Sequence, residues 1–428
     1  LSNQYSYSIY DALGRVSESG QIDKSGYTFS GTGTVYEQLY EICATPATFQ
    51  SFIASGNRDQ ITFNYYDNVI SSYISLNFGG SGPRFLKNRV ASSLYIPGPI
   101  SGAPYAHNPV SGTLNNYLNG YHNAIHYSYD IHGNVETVLR DIVELSRNGG
   151  RLFRIDYEYD ILTGNVNQVA YQPGLWDCFY QRYFYDAENK LTEVQSSRDG
   201  EIWDNDAKYF YYPHGPISRT EIGGEQKVQG QDYAYTIMSW LKGVNSDVLD
   251  ENRDMGKDGN ENISSNLNKR FGQDAMGYSL HFFNNDGLAA KDYKSVGSTN
   301  FLLGLNQSNY STLGKPLYNG NISRVNTALK DNNENEIPVN GMAYYYDQLN
   351  RLKRGRSFLG NPDQLRADGD FSSTSPSAKY KTLFTYDFNG NIKELDRFDE
   401  SGTQMDDLTY TYDVGNEKNQ LLRVQDLA

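Results

Sequence analysis

Cysteine is nearly absent, with Cys43 and Cys178 the only two in 428 residues. So few cannot build a disulfide framework or a cysteine-based metal cluster. The expectation is two free, buried thiols, with a single pairing as the alternative. Long apolar runs are missing too. The longest, such as Phe301-Leu302-Leu303, is far too short for a bilayer-spanning helix. No secretory signal stands at Leu1, and strand-like sequence begins by Tyr5, as in an interior piece of a longer protein. A basic stripe is also lacking. Lys and Arg number 37 against 51 Asp and Glu, for a net charge of -14, which argues against nucleic acid as a partner. No Pro- or Ser-rich linker divides the chain. A single continuous unit over residues 1–428 is expected, with polar loops at 246–275 and 330–340. Mean hydropathy is -0.66 and hydrophobic residues make up 38%, low for a chain of this length built on one thick core.

What the chain has is tyrosine, 37 residues against 19 Phe and 3 Trp. Tyrosine buries a large ring and keeps a wet end, which suits a sheet with water near both faces. Much of it stands in a recurring frame: Tyr10-Asp11-Ala12-Leu13-Gly14, Tyr129-Asp130-Ile131-His132-Gly133, Tyr185-Asp186-Ala187-Glu188-Asn189, Tyr346-Asp347-Gln348-Leu349-Asn350 and Tyr386-Asp387-Phe388-Asn389-Gly390. Asp160 fits with one extra residue before Gly164, and Asp413 with Gly415 is a looser copy. Asp opening a turn bonds backbone N–H groups ahead of it, and Gly or Asn three places on tolerates the left-handed conformation. That is the chemistry of a short β-hairpin connection with a bulge.

The incoming side of each turn reads aromatic-x-aromatic: Tyr127 and Tyr129, Tyr157 and Tyr159, Tyr183 and Tyr185, Tyr209 and Tyr211, Tyr233 and Tyr235, Tyr410 and Tyr412. Residues two apart share one face of a strand. A repeat step near 26 residues predicts hairpins with strands of roughly ten residues, laid side by side as a broad antiparallel sheet. Thr45-Pro46 predicts the start of a short helix ending near Gly56. The fold class expected is all-β, with long hairpin repeats forming a curved or spiralling sheet and one or two short helices.

Candidate chemistry is sparse. Asp250, Asn252, Asp254, Asp258 and Glu261 approach the oxygen-ligand spacing of a calcium loop, but Met255 holds the sixth place and Gly256 comes one late, so a solvated acidic loop is the competing reading. His122 and His126 have a helical metal spacing but run into a strand, and His132 and His214 fall at hairpin tips. Gly31 with Gly33, and the run from Gly79 to Gly82, read as loops and not as phosphate cradles. Asp156 and Asp160 have the composition of a glycosidase pair, yet each already has a strand or turn role. No catalytic set, cofactor or metal is expected. The tyrosine ladders read as packing, or alternatively as a surface for glycans.

The frame and several longer stretches resemble the RHS (rearrangement hot spot), or YD-repeat, proteins of bacteria. The stretches are Asn88-Arg89-Val90-Ala91-Ser92, residues 127–135, Arg154-Ile155-Asp156-Tyr157, residues 169–174, 209–220 and 233–246, and Leu317-Tyr318-Asn319-Gly320-Asn321-Ile322-Ser323. The resemblance implies a hollow β-cocoon enclosing a C-terminal toxin or effector domain of the same precursor. It also implies handling by bacterial secretion machinery, and a secreted or cell-surface location. The family's Asp-Pro-x-Gly type core motif is missing, so neither self-cleavage nor toxin activity is carried over to these residues.

Overall fold

The turn chemistry is realised as expected. In the computed structural model, the Asp11 N–H donates to the Arg15 carbonyl at 2.8 Å and the Gly14 N–H returns to the Asp11 carbonyl at 3.0 Å. The same pair of bonds closes the turns that open at Asp130, Asp186, Asp347 and Asp387, and Asp160 closes one residue later, on Asn165. Each Asp side chain then gathers forward N–H groups, as Asp347 does from Leu349 and Arg351, both at 2.9 Å. The fourth residue is left-handed, with φ of +77° at Gly14, +61° at Asn189 and +62° at Asn350. Asp399, Thr236 and Tyr212 open identical turns without the Tyr-Asp pair. There the backbone geometry persists and the first side chain varies.

The described residues are 4–24, 35–80, 82–101, 121–148, 152–250, 253–262, 264–283, 314–331, 333, 335–368, 377–413 and 419–428. Gly31, Gly33, Ser81, Asn252, Phe301-Leu302-Leu303 and Gly415 lie outside them. The fold is all-β and antiparallel, in two compact units. Unit 1 comprises Leu1–Lys190 with Gln195–Asp204, and unit 2 Leu191–Val194 with Asn205–Ala428.

Unit 1 runs β1 (Gln4–Tyr10), β2 (Val16–Asp23), β3 (Asn57–Tyr66), β4 (Val90–Ile96), β5 (Ile100–Ser101), β6 (Asn123–Tyr129), β7 (Val135–Ile142), β8 (Leu152–Tyr159), β9 (Val166–Tyr171) and β10 (Phe179–Tyr185). β11 (Leu191–Ser197) crosses the division. Unit 2 runs β12 (Asp204–Tyr211), β13 (Ile217–Ile222), β14 (Gln229–Tyr235), β15 (Leu241–Val244), β16 (Met276–His281) and β17 (Arg324–Leu329). It continues through β18 (Val339–Tyr346), β19 (Leu352–Gly360), β20 (Thr382–Tyr386), β21 (Ile392–Phe398), β22 (Gln404–Tyr412) and β23 (Leu421–Asp426). Within each unit, pairing follows chain order almost throughout, except that β3 pairs with both β4 and β5, and β4 with β6.

β3 reaches the roughly ten residues expected and β19 and β22 have nine, but most strands are shorter: six in β9, seven in β10 and eight in β8. A register shift sits just before the tyrosine that precedes each turn, as between Glu158 and Tyr159, and takes that residue out of the regular ladder. Helices number four among the described residues, not one or two: α1 (Val35–Cys43), α2 (Pro46–Ala54), α3 (Ser72–Asn77) and α4 (Pro362–Asp368). Helix α2 starts where Thr45 caps the Thr48 N–H, as anticipated. Helix α1 was not anticipated; its Leu39 and Ile42, three apart on one helical face, pack against the cluster of Tyr7, Ile9, Ile22, Phe52 and Ile53.

Packing is uneven. Helix-covered parts hold true cores, Tyr7, Ile22, Phe52 and Ile53 in unit 1 and Val248, Ala328, Val339 and Phe358 in unit 2. Across β8 to β12 the side chains instead stay half-buried or exposed on both faces almost throughout, with Ala170 and Ser197 the exceptions. The thiols are free but not buried: Cys43 is exposed, and Cys178 is half-buried with its Sγ near the Arg198 carbonyl.

Gly14 tests the turn reading. Nothing lies within 4 Å of where its Cβ would sit, so only the backbone penalises a side chain. Gly14→Ala is expected to cost about 1–2 kcal/mol and Gly14→Asn clearly less, because Asn alone of the two bonds locally in the left-handed region. Urea unfolding midpoints check the order. Equal costs would contradict it.

Candidate functional site

The repeat tyrosines form the first shared feature. The ladder between β7 and β8 ends at Thr137 opposite Asp156, short of Val135. Beyond it the Tyr159 hydroxyl donates to the Val135 carbonyl at 2.9 Å. The same link joins Tyr66 to Val16 at 2.8 Å, Tyr129 to Val90 at 2.8 Å, Tyr185 to Val166 at 3.0 Å and Tyr211 to Leu191 at 2.7 Å. It recurs from Tyr346 to Ile322 at 3.0 Å and from Tyr386 to Leu352 at 2.7 Å. A hydroxyl therefore continues strand pairing where neighbouring hairpins part, which phenylalanine could not do. The residue after Gly or Asn helps. Arg15 bonds Asp11 and lies 4.1 Å over the Tyr66 ring, and Arg351 bonds Asp347 and lies 4.7 Å over Tyr386.

The second feature is an acidic cluster in unit 2. Register places Arg219 of β13 directly opposite Asp232 of β14, and the two form an ion pair. The 246–275 segment folds over them and adds Asp258, whose Oδ1 accepts from Arg219 at 2.6 Å. Glu221 takes the Arg219 Nε at 3.0 Å, and Phe271 lies 4.9 Å beneath the guanidinium. Asp254 accepts from the Gly256 N–H at 3.0 Å and the Asp258 N–H at 2.6 Å. Asp274 meets Asp254 in a carboxyl-to-carboxyl hydrogen bond.

This segment is not the solvated loop expected: Asp254, Asp258, Asn260, Phe271 and Asp274 are all buried, and Val248 anchors it in the unit 2 core. Of the calcium-loop candidates, Asp250, Asp254 and Asp258 line one small cavity, while Glu261 is exposed. Gly256 is not a displaced calcium-loop glycine. A Cβ there would stand 2.1 Å from Asp232 Oδ2 and 2.2 Å from Arg219 Nη1, so the ion pair demands glycine. Arg219, Asp232 and Asp274 escaped the sequence reading because only register and loop folding unite them. Among the described residues, no group of three or more His, Cys, Asp or Glu side chains is placed to hold a metal ion.

Burial outweighs the pull of Arg219 and pushes Asp232 up to about 7. Burial, followed by the charges of Asp254, Asp258 and Asp232, pushes Asp274 up to about 9. Both values lie above that of an unfolded carboxylate, about 3.9. The folded state therefore holds more protons than the unfolded one, and stability is fully present below that value and lost as pH rises. The melting temperature, measured in metal-free buffer, is expected to fall between pH 7 and 9, above the range in which buried neutral His281 acts in the opposite sense. Asp274→Asn, whose amide donates to Asp254 at every pH, should flatten the upper part. A melting temperature level over that range contradicts this account.

A third cluster, also unforeseen, joins Ser279, His281, Asp247, Lys242 and Asn326. The Ser279 hydroxyl bonds Asp247 at 2.5 Å and stands 2.8 Å from His281 Nε2, while Lys242 Nζ stands 3.0 Å from Nδ1. Burial, then Arg324 and Lys242, holds His281 well below the ordinary histidine range, hence neutral. The residue types are those of a hydrolase, but Ser279 is at 0% exposure and offers a substrate no access. His122 is exposed beside Glu144, whereas His126 is buried against Ser92, so the two do not converge. His132 is exposed and His214 stacks on Tyr212 at a turn tip. Asp156 bonds Arg154 and Thr137, and Asp160 serves its turn.

No family model and no curated protein matches the chain. Among solved structures it is similar to TcdB2-TccC3 without its hypervariable C-terminal region, at 12% identity and a TM-score of 0.44, over 97% of this chain and 16% of that one. It is similar also to the Photorhabdus luminescens Tc holotoxin pore, at 13% identity and a TM-score of 0.45, over 97% and 16%. A porin-like protein from Bacteroides uniformis matches at 8% identity and a TM-score of 0.20, over 83% of this chain and 82% of that one. The chain thus spans 16% of the length of the toxin chains it matches first. At these scores the likenesses carry no argument, and the fold assignment rests on the strand pairing. No helix among the described residues is long and apolar enough to cross a membrane.

Proposed function

We propose that the chain is a non-catalytic wall segment of a larger secreted or surface-displayed bacterial shell of the RHS type, which carries an effector domain of the same precursor. The observation that carries this reading is the pairing of two features. Side chains across β8 to β12 remain half-buried or exposed on both faces almost throughout. Yet successive hairpins are joined by tyrosine hydroxyls at a fixed place in the frame. A domain built around one solid core would bury one face of each strand. A sheet wet on two sides needs bonds within its own plane, and these tyrosines supply them. The glycan-binding alternative gains little, because Tyr183 and Tyr209 are half-buried.

The test is native proteolysis of the full-length gene product, followed by electron cryo-microscopy. The reading expects an enclosed downstream domain that resists protease until the wall is opened by denaturant. Digestion of that domain at the rate of the isolated domain, or particles without a lumen, would sink it.

A further inference from the structure

We propose that the cleft in unit 2 between β13 and the segment folded over it binds an uncharged carbohydrate, a mono- or disaccharide, with Phe210 as its stacking platform. The cleft has a volume of about 660 Å³, within the range of roughly 300–1,000 Å³ that small-molecule sites occupy. Register builds it. Phe210 of β12 stands opposite Arg219 of β13, and Arg219 opposite Asp232 of β14, so the three share one face of the sheet. Arg219 and Glu221, two apart on β13, form the floor. Phe210 walls one side, and Met255, Leu267 and Asn268 of the overlying segment wall the other. The Phe210 ring is 45% exposed, which leaves an apolar surface open to the cleft.

Charge and the uncommitted polar atoms select the ligand. Arg219 is taken up by Glu221, Asp232 and Asp258. Among the described residues of the wall, Lys227 is then the cation without a carboxylate partner, its ammonium 4.8 Å from the Phe271 ring. One such ammonium beside Glu221 and Asp232 is too little positive charge to hold a phosphate or sulfate group. A wholly apolar ligand fails as well, because it would strip Glu221 and Lys227 of water. The remaining atoms suit hydroxyl groups, which donate and accept at once. Glu221 gives Oε1 to Arg219 and keeps Oε2 as an acceptor. The Asn268 amide nitrogen donates to the Gly256 carbonyl at 2.9 Å, which fixes the side chain and leaves its oxygen to accept. Lys227 donates. A peptide cannot add here as a strand, since β13 is already paired with β12 on one side and β14 on the other. A sugar ring meets these conditions together: no charge, hydroxyls for the floor, and an apolar C–H face to lie on Phe210. The site is separate from the tyrosine ladders, because Phe210 and Tyr209 are neighbours on β12 and face opposite ways. It does not depend on the wall reading.

The experiment is saturation-transfer-difference NMR on the purified chain, with maltose, cellobiose, lactose and N,N′-diacetylchitobiose as probes at millimolar concentration. At least one is expected to bind saturably and to receive saturation most strongly at the C–H protons of one ring face. Phe210→Ala is expected to weaken that binding by about tenfold, the scale of losing one stacked ring. If Phe210→Ala shifts the melting temperature, Lys227→Met, which leaves the strands untouched, is read in its place and is expected to weaken binding by about threefold or more. Absence of transfer to every probe overturns the proposal, as does equal binding by wild type and both variants. Broadening of the phosphorus signal of inorganic phosphate, with no transfer to any sugar, overturns it in favour of an anion site.

Discussion

Arg58→Ala is expected to cost about 3–5 kcal/mol, the range for removing one partner of a buried ion pair. Arg58 of β3 and Glu18 of β2 pair at 1% and 0% side-chain exposure, among the most enclosed charges in unit 1. Tyr7 adds its hydroxyl to the same carboxylate at 2.6 Å, and burial together with the Glu18 charge pushes that phenol up. Without Arg58 the carboxylate loses its buried cation and keeps the Tyr7 phenol, in a site closed to water. Either it takes up a proton or the strands separate. Replacing both charges, Arg58→Met with Glu18→Leu, removes the uncompensated charge and is expected to cost less than Arg58→Ala alone. Urea unfolding monitored by the intrinsic fluorescence of the chain gives both numbers. A loss under about 1 kcal/mol for Arg58→Ala would show that water reaches the pair, contrary to its burial.

The second large effect concerns the tyrosine links. The triple variant Tyr129→Phe, Tyr159→Phe, Tyr185→Phe removes three hydroxyls and nothing else from unit 1. Each bond contributes about 1 kcal/mol, and a carbonyl left without a donor adds to the cost, so about 3 kcal/mol is expected in total. Tyr10 is 60% exposed and shows no such link, so Tyr10→Phe is the control, within about 0.5 kcal/mol of wild type. Hydrogen exchange should report the loss first at the turn-proximal ends of β7 and β9, where backbone pairing between hairpins has already stopped. Uniform destabilisation with no such local signature would mean that the rings, not the hydroxyls, hold adjacent hairpins together.

How much was legible follows from the range of each interaction. The turn at Asp347 is closed by groups at Leu349, Asn350 and Arg351, all within four residues, so its chemistry stands in the sequence as written. The Thr45 cap of α2 is local in the same sense. The hydroxyl links are not. Tyr129 reaches 39 residues back to Val90, so the sequence shows that tyrosine recurs without showing what its oxygen does. The acidic cluster was less legible still. Asp254 and Asp258 could be suspected from spacing, but Arg219, Asp232 and Asp274 come from two strands and the end of a loop. Composition made that loop look wet, and only Val248 and Phe271, buried beneath it, show otherwise.

By itself, then, the sequence determined the class of fold, the places where the chain reverses, and the residue carried at each left-handed position. Those are decided by bonds between near neighbours and by the period of two along a strand. Tertiary structure alone decided which carbonyl each tyrosine reaches and which carboxylates gather around Arg219. Such choices depend on strand register and on burial, and neither exists until distant segments are brought side by side.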